Sequence, residues 1–194
     1  MKKIIIMAFS LVSVFCYAQK VTTNKIENGV EFFATDYKDM KFADDVSYSL
    51  QLFTDGQQSE YFVILCSEEN KVHSFPEDAK LLLKTKKDET IELVSLFSSI
   101  VETAENEYQP TAYFPISERD LQATFDGIVK VRLEMLSIDK DGAVFTDVRD
   151  NKKDMGKDLK KMYEAIQKQI EKNKEIRAKD TKATERGGSI SEDF

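Results

Sequence analysis

What most constrains this chain is a two-residue alternation of apolar and polar side chains, repeated in segment after segment. In "VSYSLQLF", Val46, Tyr48, Leu50 and Leu52 fall on one side, and Ser47, Ser49 and Gln51 on the other. Successive side chains of a strand point to opposite faces, so the pattern marks a strand with one face in a core and one face wet. "GIVKVRLEML" repeats it, with Val129, Val131, Leu133 and Met135 set against Lys130, Arg132 and Glu134. Further strands are expected at 30–35 and in "YFVILC", "AKLLLKT", "TIELVSLF", "YQPTAYF" (ended by Pro115) and "AVFTDV". Asp55-Gly56 supplies a hairpin turn between "VSYSLQLF" and "YFVILC". A charged turn at Lys86-Lys87-Asp88-Glu89 joins "AKLLLKT" to "TIELVSLF". Seven or eight short strands with hairpin connections define a mostly β chain, read as an antiparallel β-sandwich. A barrel would use the same strands, and the pattern alone does not separate the two.

One strand departs from the alternation. In "YFVILC", Tyr61, Val63 and Leu65 point one way and Phe62, Ile64 and Cys66 the other. Both faces are apolar, whereas a two-sheet sandwich covers only one face of each sheet. Something is therefore expected on the outer side, and the C-terminal arm is the candidate.

Two helices are expected. "FPISERDLQATFDG" carries Ser117 as N-cap and Asp120 at the third helical position, with Ile116 and Leu121 placed for a hydrophobic staple. Asp126-Gly127 ends it, with Gly127 able to take the left-handed conformation. We read it as a connector that plugs one end of the core. From about Asn151 the chain becomes strongly charged, but Met155, Leu159, Met162, Tyr163, Ile166 and Ile170 recur at helical spacing. They form one apolar stripe on a helix over 151–178, expected to pack on the sheet. The stripe fades at Lys172-Asn173-Lys174, short for a coiled coil. Residues 179–194 read as a flexible tail.

The chain opens "MKKIIIMAFSLVSVFCYAQ". Lys2 and Lys3 precede a mostly apolar run over residues 4–15. As a helix that run rises about 18 Å, short of a ~30 Å hydrocarbon core. It reads as a secretory signal peptide over 1–18, with Cys16 and Ala18 at the −3 and −1 positions of a cleavage site. Anchoring through a lipid on Cys16 would ask for a small residue before it, and Phe15 is large. The expected address is thus periplasmic or extracellular, without a lipid anchor or a transmembrane segment in the mature chain. Cleavage removes Lys2 and Lys3 and takes the net charge from −7 to −9. Such an acidic chain is not expected to bind nucleic acid.

Cleavage leaves Cys66 as the one cysteine, so no internal disulfide can form. We place Cys66 in the core as a small hydrophobe. The only histidine is His73. It has no Cys or His neighbour at zinc-ligand spacing. Ser137, Asp139, Asp141 and Gly142 imitate the start of a calcium loop, but Val148 occupies the position that needs a bidentate Glu. Glu68, Glu69, Glu77, Asp78, Asp44 and Asp45 read as solvated loop charges. Tyr37, Tyr108 and Tyr113 could stack on a ligand, but strand-edge and core packing is the favoured reading. No nucleophile elbow, zinc helix, phosphate loop or dinucleotide fingerprint is present. No catalytic, metal or cofactor residue is expected. The sequence points to an exported non-enzymatic binding or assembly module with a protein or carbohydrate partner. The alternatives are a carboxylate-based hydrolase acting on glycans and a structural subunit of a surface fibre.

Overall fold

The computed structural model describes residues 21–40, 46–67, 73–102, 108–137, 143–150 and 155–187. The leader, the 139–142 loop, Asp44, Asp45, Glu68, Glu69 and the last seven residues lie outside this set. The described residues form two antiparallel sheets and two helices.

The chain starts in the larger sheet with β1 (Val21–Glu27), β2 (Val30–Thr35), β3 (Lys38–Asp39), β4 (Val46–Thr54) and β5 (Ser59–Ser67). It then builds part of the smaller sheet with β6 (His73–Ser74), β7 (Lys80–Thr85) and β8 (Thr90–Val94). At Ser95 and Leu96 it crosses back. Ser95 N still bonds Ala79 O at 2.9 Å, while Leu96 N already bonds Tyr113 O at 2.8 Å. Thus "TIELVSLF" is not one strand. Its second half begins β9 (Phe97–Glu102) in the larger sheet, beside β10 (Tyr108–Ile116). Helix α1 (Glu118–Ala123) and a 3-10 turn (Thr124–Asp126) lead into β11 (Ile128–Ser137) and β12 (Ala143–Asp150) of the smaller sheet. Helix α2 (Met155–Gly187) ends the described chain. The larger sheet runs β1-β2-β4-β5-β10-β9, with β3 also on β4; the smaller runs β12-β11-β7-β8, with β6 also on β11.

Local chemistry explains the turns. β1 and β2 are joined by Asn28-Gly29, both at positive φ (51° and 81°). That is the type I′ geometry that follows strand twist, and Asn-Gly is the pair that adopts it most readily. At the β4–β5 turn, Asp55 Oδ1 accepts hydrogen bonds from Gln57 N (2.8 Å) and Gln58 N (2.7 Å). Helix α1 is capped as its sequence implies: Asp120 N donates to Ser117 Oγ at 3.1 Å, and Ile116 and Leu121 are both buried. Gly127 follows at φ 122° and ψ 149°, an extended mirror conformation rather than the left-handed helical one. Pro115 does not end β10, which continues through Ile116. In β11 the register shifts between Ile128 and Lys130, so Ile128 is buried and Val129 is exposed.

The main core lies between the sheets. Leu50, Val63, Leu65, Phe114, Leu81, Leu83 and Leu133 meet there, each at most 2% exposed. Burying a side chain of this size contributes about 1.5–3 kcal/mol. The stripe of α2 enters the same core: Met155, Leu159, Met162 and Ile166 are all buried in it. The helix therefore packs on the inner face of the larger sheet, not on the outer face beside "YFVILC". The reason is width. The larger sheet has seven strands and the smaller five. The inner face of β1, β2 and β4 is left for α2, which contacts those strands.

Polar contacts hold α2 at both ends. Tyr48 donates its hydroxyl to Asp158 Oδ2 at 3.2 Å, and Gln167 Nε2 donates to the Tyr61 hydroxyl at 2.8 Å. Tyr163 donates to Glu118 Oε1 at 2.5 Å and packs its ring between Tyr61 and Phe125. Farther along, Asn24 and Asn173 exchange two amide hydrogen bonds of 3.1 Å, and Arg177 Nη1 lies 2.7 Å from Glu31 Oε1. The helix runs on to Gly187, past the Ala178 at which the composition changes.

Candidate functional site

The outer face of the larger sheet gathers the most unusual set of side chains. Directly opposed residues of antiparallel strands share a face, so the register defines its rows. One row runs Ser47, Cys66, Thr111, Ser99; the next runs Ser49, Ile64, Tyr113, Phe97. A third holds Ala34, Gln51 and Phe62, and at its margin Phe32 and Phe53 pair beside Glu60. Small hydroxyl residues thus alternate with rings across the face.

These residues are buried. Ile64 and Ser49 are 0% exposed, Phe62, Gln51 and Thr111 2%, and Tyr113 3%. Yet the smaller sheet and α2 both lie on the opposite side. Phe62, Ile64, Cys66 and Tyr113 form a cluster of their own, packed with Tyr37, Phe53 and Phe97 and separate from the main core. Phe97 stacks on Tyr113 with centroids 4.5 Å apart, and Phe53 meets Phe62 edge-on at 5.7 Å. Cys66 Sγ lies 3.3 Å from Thr111 Oγ1. Gln51 Oε1 is buried without a hydrogen-bond partner. A buried amide oxygen left unbonded costs about 1–3 kcal/mol, so a donor supplied from outside the sheet would be held tightly there.

The backbone positions Tyr37 for this face. β2 leaves β4 at Thr35, whose hydroxyl replaces the ladder: Leu50 N donates to Thr35 Oγ1 at 3.0 Å, and Thr35 Oγ1 donates to Leu50 O at 3.1 Å. Pairing resumes in β3, where Lys38 faces Tyr48. The two residues between are Asp36 and Tyr37, and Tyr37 comes to rest near Ser49, Cys66 and Tyr113. Burial pushes the Tyr37 hydroxyl well above the usual phenol range, with Cys66 adding to the effect. Burial, and next to it Cys66, raises Tyr113 to about 12. Both phenols are therefore neutral donors at ordinary pH.

A second concavity is an open groove of about 640 Å³ between the start of β1 and α2, lined by Val21 and by Lys168, Lys172, Glu171 and Glu175. Its charges are mixed and exposed.

Of the residues weighed in the sequence, the structure brings Tyr37, Cys66 and Tyr113 together. Tyr108 sits at the far end of β10. His73 belongs to the smaller sheet, where it pairs with Ser137 of β11, whereas Cys66 belongs to the larger. Glu77 and Asp78 are exposed before β7. Among the described residues no three His, Cys, Asp or Glu side chains gather as a metal site. None of the described helices is long and apolar enough to cross a membrane. Ser49, Gln51, Thr111 and Phe97 were not singled out by sequence; the double-sided "YFVILC" strand was the signal that could have led to them.

The fold and this face together define a two-sheet antiparallel β protein with a docked C-terminal helix and an aromatic, hydroxyl-rich outer sheet face. Compared with known proteins, the chain matches no family model, no curated protein and no solved structure.

Proposed function

We propose that this chain is an exported, non-enzymatic binding module whose binding surface is the outer face of the larger sheet. The leader pattern supports export, with release after Ala18 into the periplasm or beyond the cell. The observation that carries the reading is the face itself. It gathers rings, hydroxyls and an unbonded buried amide oxygen on the side of the larger sheet opposite the smaller sheet and α2. Stacked rings beside hydroxyl donors suit a ligand that is apolar on one side and polar at its edges, such as a sugar face or a peptide segment. Hydroxyls, an amide, a thiol and rings line the centre, with Glu60 at the margin, which favours holding a ligand over cleaving it.

Two measurements test this. Intact mass of the protein recovered after export should correspond to a chain beginning at Gln19; a diacylglycerol adduct on Cys16 or a retained leader would overturn the export half. Backbone NMR shifts, followed during titration with a panel of oligosaccharides and short peptides, should move first in β4, β5 and β10 around Gln51, Ile64 and Tyr113. Shifts confined to the β1–α2 groove would place binding elsewhere.

A further inference from the structure

We infer that a second copy of this chain docks at the β1 edge of the larger sheet, β1 against β1 and α2 against α2, about a two-fold axis that passes near Asn24. This edge is separate from the outer face proposed above.

β1 ends the larger sheet and, among the described residues, pairs with β2 alone. Residues 24–27 are exposed. The two-residue turn Asn28-Gly29 makes Glu27 and Val30 a hydrogen-bonded pair, so the bonds from β1 to β2 fall at Glu27 and Lys25. Asn24 and Ile26 therefore turn their backbone N–H and C=O groups outward. An edge of this kind can take up another strand. The Ile26 side chain beside it is 60% exposed, the most of any large apolar residue described.

The helix beside this edge selects the strand. Asn173 bonds Asn24 of β1 and Glu31 of β2, so α2 lies over the gap between them. The flank of α2 that lines the groove beside Val21 carries Lys168, Glu171, Lys172 and Glu175. All four are exposed, and among the described residues none is in an ion pair. Their charges run plus, minus, plus, minus, an order that meets its own opposite when reversed. Two antiparallel copies of α2 centred between residues 171 and 172 therefore set Lys168 against Glu175 and Lys172 against Glu171, each twice. A two-fold interface repeats every contact in this way. An extended peptide would satisfy the strand edge but has no reason to match that order.

The two centres coincide. Asn173, beside the centre on α2, is bonded to Asn24. Pairing β1 with itself about Asn24 overlaps all 7 of its residues and opposes two outward-turned Asn24 backbones. Lys25 then faces Thr23 and Glu27 faces Val21, so no like charges are directly opposed. An axis normal to the sheet relates antiparallel strands and keeps both α2 helices on one side. A helix over the gap between β1 and β2 stands about 5 Å from that axis, which puts the two helices about 10 Å apart, a packing distance. The same alignment brings the exposed Ile176 of each copy within a helical turn of Ala165 of the other.

Sedimentation velocity of the full chain should give twice the chain mass. A single-chain mass at every concentration overturns the proposal and leaves the edge to a strand of some other protein. Two variants test the charge order: Lys168→Glu with Lys172→Glu, and Glu171→Lys with Glu175→Lys. Each alone sets like charges together and should associate about a hundredfold more weakly. Mixed in equal amounts they should restore the dimer. Undiminished association of either variant alone, or a mixture that stays monomeric, overturns the proposal. If a variant fails to fold, carbodiimide coupling of equal amounts of isotopically light and heavy parent chains decides instead. Links from Lys168 to Glu175 that join a light to a heavy peptide support the proposal; links within one label only, or none, sink it.

Discussion

Gly156 sits where α2 begins and where its backbone meets the 3-10 turn. A Cβ there would lie 2.0 Å from the Thr124 carbonyl oxygen and 3.1 Å from Gly127 Cα. Both neighbours are backbone, so neither can rotate away. Gly156→Ala should therefore cost about 2–4 kcal/mol in urea unfolding, where a helical Gly→Ala change normally stabilises. No sequence pattern announces this approach, because it depends on which turn the helix lands against. Asn28-Gly29 is the opposite case: the turn and the first strand it creates were legible in "IENGVEFF", and the expected strand list nonetheless began one strand too late. The buried phenols give a second residue-scale outcome. A group whose folded pKa is raised stabilises the fold below its unfolded pKa and loses that contribution as pH rises through the folded value. Tyr113, raised to about 12 from 10.0, should thus weaken the protein by roughly 2 kcal/mol between pH 10 and 12. Tyr113→Phe should blunt that fall in a pH series of denaturant melts.

Among the elements, α2 shows how far periodicity reaches. Its stripe of Met155, Leu159, Met162 and Ile166 was legible from spacing, and all four are buried. Which face of which sheet it would meet was not legible. That depends on the smaller sheet being narrower than the larger, and the widths depend on the crossing at Ser95. Read as one strand, "TIELVSLF" hides that crossing, since no Gly, Pro, Asn or Asp marks the bend at Ser95 and Leu96. Ile166→Asp would place a carboxylate in the main core and should cost more than about 4 kcal/mol, seen as loss of the folded monomer. Retention of a folded monomer with altered assembly would contradict the docked position. The outer clasp should behave differently. Arg177 is half exposed, so Arg177→Ala should change global stability by less than about 1 kcal/mol. Amide exchange near Asn173 should nevertheless quicken. The Arg177 hydrogen bond, partly offset by burial, holds the Glu31 carboxyl below its ordinary 4.5. Its contribution is present above that pH and is lost as pH falls further, so the same quickening should appear in acid without any mutation.

At the scale of the whole molecule, the two-layer architecture follows from alternation, and the candidate site follows from the one strand that breaks it. "YFVILC" announced that both faces of β5 would be covered. It did not announce the rows around it, because Ser49, Gln51 and Thr111 read as wet-face residues in their own strands. They become part of a buried face only through register with Ile64, Phe62 and Cys66. The account rests on that face being the working surface of the exported protein. Backbone NMR of the protein recovered after export, titrated with oligosaccharides and short peptides, tests this most directly. The expected result is that shifts move first around Gln51, Ile64 and Tyr113, while those of Leu81 and Leu83 in the main core stay in place. Shifts confined to the groove between β1 and α2, or no shifts at all, would contradict it.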